Sequence, residues 1–420
     1  MAPVLALLLV VPMLAVQPSA AASLTFHVTS TVDALDAQVG DGACATAAGE
    51  CTLRAAVQEA NATTTPDTVV VAGGEYRLTL APAGSNLDDS GDLDVLAPLT
   101  LTGSGSVATV IRGGPRPESA PPEQSGMDRL IELHETAGTV SIAGVTLTEG
   151  WSAEEGGALR SVAVGPLRLT DVTVTDSSSE SEGGGIYYAM GALTLTRSTV
   201  SGNSARGGGG LYGGGEPTPS GQGARLTVTD SSMTGNTATS HGGGVAAEGA
   251  TTVTISGTTI ADNFAESHGG GFAVSGRSSL SLTGGVVEAN RTPGDGGGGA
   301  VASEGSTTVR GTTFRQNLAG LPVGVEITDG SGAGLTTSGT GAVTIEDALF
   351  EGNDATAEGG GMYLGSAGAV LVQDTEVRAN RAGAGAGIEN AGMSVTLTRL
   401  HIHDNHAELD GGGIESQGSG

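Results

Sequence analysis

The chain has 420 residues, 73 of them glycine, with 3% aromatic residues and a formal net charge of −28 from 45 acids against 17 bases, every base being arginine. At 38% hydrophobic it has apolar material to bury, which excludes a simple acidic disordered tail, and its glycines show no Gly-X-Y period, which excludes collagen. So acidic a surface repels phosphate backbones and anionic lipid, so no nucleic-acid partner is expected.

Residues 3–16 form an apolar run followed by Gln17, Pro18 and the small residues Ser19–Ser23, the pattern of a secretory signal peptide spanning 1–22. It lacks a charged start, and the alternative is a buried N-terminal segment. No later stretch approaches the ~18 consecutive apolar residues of a spanning helix, so no transmembrane segment is expected in the mature chain. Cys44 and Cys51 are the only cysteines. Downstream of an export signal, so close a pair is expected to form a local disulfide, a staple worth about 2 kcal/mol in the chain-entropy picture.

Residues 23–65 read as a cap. Within them Thr52 is placed to cap a helix whose apolar face is Leu53, Ala56, Val57 and Ala60, with Arg54 in its first turn and Asn61 as its stop. Residues 66–138 are irregular, with strands expected at Asp67–Val71, Tyr76–Leu80, Leu99–Leu101 and Leu130–Leu133. Asp88, Asp89, Asp92 and Asp94 crowd oxygen donors that could hold calcium, although EF-hand spacing is absent and a bare turn is the alternative.

From residue 139 to 420 one pattern recurs about every 27 residues. Asn203, Asn236, Asn263, Asn290, Asn317, Asn353, Asn380 and Asn405 follow one another at intervals of 33, 27, 27, 27, 36, 27 and 25. An apolar residue stands three before each, from Val200 to Ile402, and a second apolar column follows each glycine cluster. Alternating segments such as Val253-Thr-Ile255 point one side chain in two inward. The unit is too short for a propeller blade and too rich in glycine for paired helices, which leaves an all-β solenoid, a parallel β-helix of about 27 residues per coil with a short N-terminal capping helix. Stacked coils would bring like residues into ladders, so that each inward Asn bonds the Asn above and below. The long intervals are expected to be loops at Gly213–Gly223 and Leu321–Gly330.

Asp41-Gly-Ala-Cys44, Cys51-Thr-Leu-Arg-Ala-Ala56, Glu59-Ala-Asn61 and Gly91-Asp-Leu-Asp-Val95 together resemble the CSLREA-domain family of exported bacterial proteins, in which this motif precedes a right-handed parallel β-helix of the pectin-lyase-like kind. The repeats are similar to those of polymorphic outer-membrane proteins, with FxxN at Phe314–Asn317 and Phe350–Asn353. Ala55 stands where the family has Glu, which removes the capping box. The resemblance implies a fold and an extracytoplasmic address, secreted or at the cell surface, rather than a reaction.

Chemistry on the rod is expected to be sparse. Lyase chemistry needs a strong base, usually lysine or arginine, and there is no lysine. His241, His268 and Asp295, each 27 apart, would align on successive coils and could bind a transition metal, with polar turn residues as the alternative. His401 and His403, followed by Asp404 and His406, form a second such group. No catalytic residue is assigned. The leading expectation is a non-catalytic structural or adhesive element with a cell-surface glycan or protein as partner and no cofactor beyond calcium. The alternatives are a carbohydrate-active enzyme, a polysaccharide lyase or glycoside hydrolase, and an autotransporter-like passenger fragment.

Overall fold

The computed structural model describes residues 22–82, 90–114, 128–215, 223–320, 322–323 and 326–417. The chain winds as a right-handed parallel β-helix in which each regular coil contributes four short strands, and like strands pair in parallel from coil to coil. One representative coil has Thr252–Ser256 on the first face, Thr259–Ala261 on the second, Phe264–Ala265 on the third and Phe272–Gly276 on the fourth. The four sheets hold 13, 12, 10 and 12 strands, so at ~4.8 Å per coil the rod is roughly 58 Å long.

Alternation explains the core. On the first face Val253 and Ile255 are buried while Thr252 and Thr254 are partly exposed, and the pattern repeats along that sheet. Register holds these residues over Leu280 and Leu282 of the next coil. The column three before the Asn residues is interior from Val200 to Val377 and includes the stacked pair Phe314 and Phe350, 4.7 Å apart.

The corner between the third and fourth faces shows why glycine is so abundant. In Gly242-Gly-Gly244 the first residue has φ +64°, a backbone that costs a β-carbon dearly. A Cβ on Gly243 would sit 2.3 Å from the carbonyl of Gly270, and one on Gly244 would sit 2.7 Å from that of Gly271. The first glycine answers to the turn; the other two answer to the neighbouring coil.

The N-terminal region departs from the sequence reading in three short strands. Thr25–Val28 precedes the cap helix and begins the first sheet, and Leu93–Val95 and Thr109–Arg112 lie in the early coils. The Gly-Asp-Leu-Asp segment is therefore the edge of a strand rather than a bare turn, because Leu93, Asp94 and Val95 pair with Ile131, Glu132 and Leu133. The second early strand begins at Gly74 and ends at Arg77. Most of the first long loop and part of the second lie outside the described residues, but Pro322–Val323 and Glu326–Ile327 pair antiparallel.

Helix α1 (Leu53–Asn61) closes the rod's first end. The Thr52 hydroxyl accepts from Ala55 N at 3.2 Å and donates to Ala34 O at 2.6 Å. Leu53, Ala56, Val57 and Ala60 join the continuous core. The helix ends at Asn61, with Ala62 as its C-cap, and the Asn61 carboxamide ties that end to the early coils, donating to Asp94 O and accepting from Leu96 N. Cys44 and Cys51 are joined by a disulfide.

Candidate functional site

The cap's polar residues each hold a particular piece of backbone. Arg54, 1% exposed, pairs with Asp33 at 2.7 Å and donates to Asp92 O and Gly91 O. The Glu59 carboxylate accepts from Gly40 N and Gly42 N, and Gln58 accepts from Asp36 N. The two halves of the N-terminal motif, 37 residues apart, are thus one contact.

The asparagine column is a continuous hydrogen-bonded ladder inside the rod. Nδ2 of each residue from Asn203 to Asn380 donates to Oδ1 of the next, at 2.9–3.0 Å in every step. The longer steps to Asn236 and Asn353 hold the same geometry because the extra residues leave the coil elsewhere. A second ladder went unread in the sequence. At the corner between the first two faces, Val172 N donates to Ser198 Oγ, Ser198 N to Ser231 Oγ and Ser231 N to Thr258 Oγ1. Its sequence signal is a hydroxyl residue two after the first-face strands that end at Thr196, Thr229 and Ser256.

A groove crosses the early coils on the third face. Trp151, the chain's one tryptophan, lies outward where later coils place Ser178, Ser204 and Thr237. It lines two cavities. One, about 280 Å³, is walled by Pro82, Asp92, Asp128, Arg129 and Ser152. The other, about 260 Å³, is walled by Ser178, Glu180, Ser204 and Arg206. A larger cavity of about 360 Å³ beside Pro166 and Gly191 offers one charged side chain, Arg225.

The electrostatics of the first cavity are unusual. Burial, reinforced by the Asp128 charge, pushes the Asp92 carboxyl up to about 7, and burial also raises Asp128. Asp92 Oδ2 has no hydrogen-bond partner among the described residues; its nearest cation is Arg129 Nη1 at 3.8 Å. Arg129 is committed elsewhere, to Glu132 and to Ser152 Oγ. Arg160 also binds Glu132, at 2.5 Å, and Glu155, at 3.2 Å. Below them His134 Nε2 meets the buried Asp94 at 2.5 Å, a bond that raises the imidazole pKa. Asp94, Glu132 and His134 bring ligand atoms within 4.8 Å of one another, but the two guanidiniums already neutralise Glu132. Of the calcium group read from the sequence, Asp92 and Asp94 stand here; Asp88 and Asp89 lie outside the described residues.

His241, His268 and Asp295 align on three successive coils, and the two imidazoles stack at 5.5 Å. The His241 nitrogens face Ser240 Oγ at 3.0 Å and Glu248 Oε1 at 2.9 Å rather than His268. Glu248 also accepts from the Tyr212 hydroxyl, and His241 chiefly holds its carboxyl down to about 2. Tyr212 stacks on Tyr187 at 5.7 Å. His401 and His403 lie on one strand at the other end of the described rod, beside Glu376.

Residues 161–336 match the family described as right handed beta helix region. No curated protein matches the chain in sequence. Among solved structures, the A-module of the mannuronan C-5 epimerase AlgE4 of Azotobacter vinelandii is similar with a TM-score of 0.50 at 12% identity, covering 85% of this chain and 95% of that one. The AlgE6 A-module of the same organism (TM-score 0.37, 13% identity, 88% of this chain, 95% of that one) and pectate lyase Pel9A (0.33, 12%, 93% and 80%) are more distant. Likeness at such identity is likeness of fold, and it places the chain among the right-handed parallel β-helices. No described helix is long and apolar enough to cross a membrane.

Proposed function

We propose that this is an exported, CSLREA-type β-helix protein, secreted or held at the cell surface, that binds an uncharged glycan strand in the groove at Trp151 as a non-catalytic structural or adhesive element. The observation that carries the reading is the pair of cavities meeting at that one indole. A flat aromatic face between polar walls suits a sugar ring, whose C–H face packs on the indole while its hydroxyls reach Ser178, Ser204 and the charged rims. The net charge of −28 disfavours a polyanionic strand. Export is supported by the apolar N-terminal run and the disulfide.

Most arginines of the rod serve it rather than a ligand. Arg197 pairs with Asp171, Arg315 with Glu288, Arg378 with Glu351 and Arg399 with Asp374, each across adjacent coils. A second reading, a carbohydrate-active enzyme, is favoured by one observation: Asp92, titrating near neutrality, shares a cavity with a second carboxyl, Asp128.

The test is a neutral-glycan binding screen on the purified protein, followed by calorimetry with Trp151→Ala. Loss of at least tenfold in affinity, with no reducing ends or unsaturated uronate released, supports the binding reading. Turnover abolished by Asp92→Asn would replace it with the enzyme reading. Glycan binding that is indifferent to Trp151→Ala would sink both.

A further inference from the structure

The last described coil carries a cluster that neither the ladders nor the groove uses. Strand His401–His403 pairs in parallel with Glu376–Arg378, so that Glu376 lies beside His401 and Arg378 beside His403. In a strand, residues two apart face the same way, and Ile402 between them packs against the core. His401 and His403 therefore project together to the surface, their ring centroids 4.3 Å apart, next to the Glu376 carboxylate of the preceding coil. One ligand atom from each of the three lies within 4.8 Å of the other two.

The bonds of His403 sharpen the picture. Its Nδ1 is 2.7 Å from Asp404 Oδ2 and its Nε2 is 3.2 Å from Glu376 Oε1. With the Nδ1 proton donated to Asp404, Nε2 turns a lone pair toward a carboxylate oxygen. Two electron-rich atoms facing each other at 3.2 Å require a proton or a cation between them. A tetrahedral zinc ion, bonded at ~2.0–2.2 Å to nitrogen and oxygen, separates neighbouring ligand atoms by roughly 3.4 Å, close to that gap. A carboxylate behind the ring is also the usual means of fixing the tautomer of a metal-bound histidine.

The remaining charged neighbour is Arg378, whose Nη1 is 2.8 Å from Glu376 Oε1. It has a second carboxylate, Glu351, at 2.9 Å, and so keeps a partner when Glu376 turns to a metal. The ligand set of two imidazoles and one carboxylate selects zinc and its transition-metal neighbours over calcium or magnesium, which require oxygen shells.

We propose that Glu376, His401 and His403 form a surface site for one divalent transition-metal ion of the zinc type, with Asp404 as the positioning residue for His403. The site is independent of the Trp151 groove. Titration calorimetry of the full chain with Zn²⁺ should show one equivalent bound. His401→Ala and His403→Ala should each weaken it at least tenfold, and Asp404→Asn about tenfold. The double variant His241→Ala/His268→Ala should leave it unchanged, and circular dichroism will establish that each variant is folded. Cobalt substitution supplies a second readout, because a four-coordinate site gives intense visible absorption that the His403→Ala variant should lose. No Zn²⁺ binding above that of the His401→Ala/His403→Ala double variant, or binding lost with His241 and His268 instead, would overturn the assignment.

Discussion

Replacing Asn263 by alanine isolates what one rung of the ladder contributes. Its Oδ1 accepts from Asn236 N at 2.9 Å and from Asn236 Nδ2 at 3.0 Å, while its Nδ2 donates to Asn290 Oδ1 at 2.9 Å and to Met233 O at 2.9 Å. The residue is fully buried, so water cannot readily take over these four bonds. At about 1 kcal/mol net per bond the change costs roughly 4 kcal/mol, and more where a partner stays orphaned. Asn405 offers the control. It too makes four bonds, to Asn380 N and Nδ2, Val377 O and His403 O, but it is only half-buried at the ladder's end. Water can replace its partners, and Asn405→Ala should cost about 1 kcal/mol. Asn263→Asp should exceed the alanine cost, because a charge of the same shape would turn an oxygen toward Asn290 Oδ1 and Met233 O. Guanidinium unfolding midpoints, with hydrogen exchange read coil by coil across residues 230–295, measure the difference. Equal costs for Asn263→Ala and Asn405→Ala would refute the claim that burial of the ladder makes it stabilising.

Arg54→Ala should cost about 3 kcal/mol, since it takes the counter-charge from the buried Asp33 carboxylate, which keeps the Thr79 and Leu80 amides, and frees the backbone of Gly91 and Asp92; limited proteolysis should then cut first in the early coils. Cys44→Ser, or reduction of the wild type, should lower stability by about 2 kcal/mol in a melt, the small value reflecting a sequence separation of only 7. Stability should also fall as pH rises through neutrality. Asp92 titrates in the folded chain at about 7, above its value in the unfolded chain, so its contribution is full below the ordinary carboxylate range and is lost as pH passes 7. His134, raised by Asp94, acts with the same sign: present below the ordinary imidazole value and lost above its raised one. Asp92→Asn should therefore stabilise the protein at pH 8 and change little at pH 4, and a uniform effect across that range would contradict the assignment.

What the sequence disclosed and what it hid divide along physical lines. The coil, its faces and the Asn rungs were legible because a solenoid repeats one environment, so equal residues recur at equal spacing and each column checks the others. Asn236 could be placed beside Asn263 without any knowledge of the intervening chain. The groove had no such redundancy. Asp92 and Asp128 come from separate early segments where the period fails, Trp151 comes from the first regular coil, and only the coil path makes them neighbours. Trp151 did carry a signal, a large aromatic in an outward column that reads Ser178, Ser204 and Thr237 over the next three coils before it turns to Phe264, Arg291 and Leu318, but it stands before the first clear Asn. The strands Thr25–Val28 and Leu93–Val95 were hidden by brevity, and in the second by aspartate, which ordinarily disfavours strands. The cluster of Glu376, His401 and His403 was half visible: the histidine pair shows as strand alternation, whereas the carboxylate arrives from the preceding coil.

The same contrast explains why the N-terminal motif is specific while the repeats are permissive. A coil inside the rod is templated on both sides by near copies of itself, so any residue of suitable size serves, and the column before Asn runs through Val, Met, Ile and Phe. The cap has no copy to lean on. Its helix must bind backbone that belongs to no repeat, and it does so with one particular side chain for each target: Arg54 for Gly91 and Asp92, Glu59 for Gly40 and Gly42, Asn61 for Asp94 and Leu96. Arg54 also fixes the strand edge from which Asp92 faces Trp151 across the groove. Loosening the cap should therefore weaken a groove ligand as well as the fold, whereas loosening Asn263, some four coils further on, should weaken the fold alone.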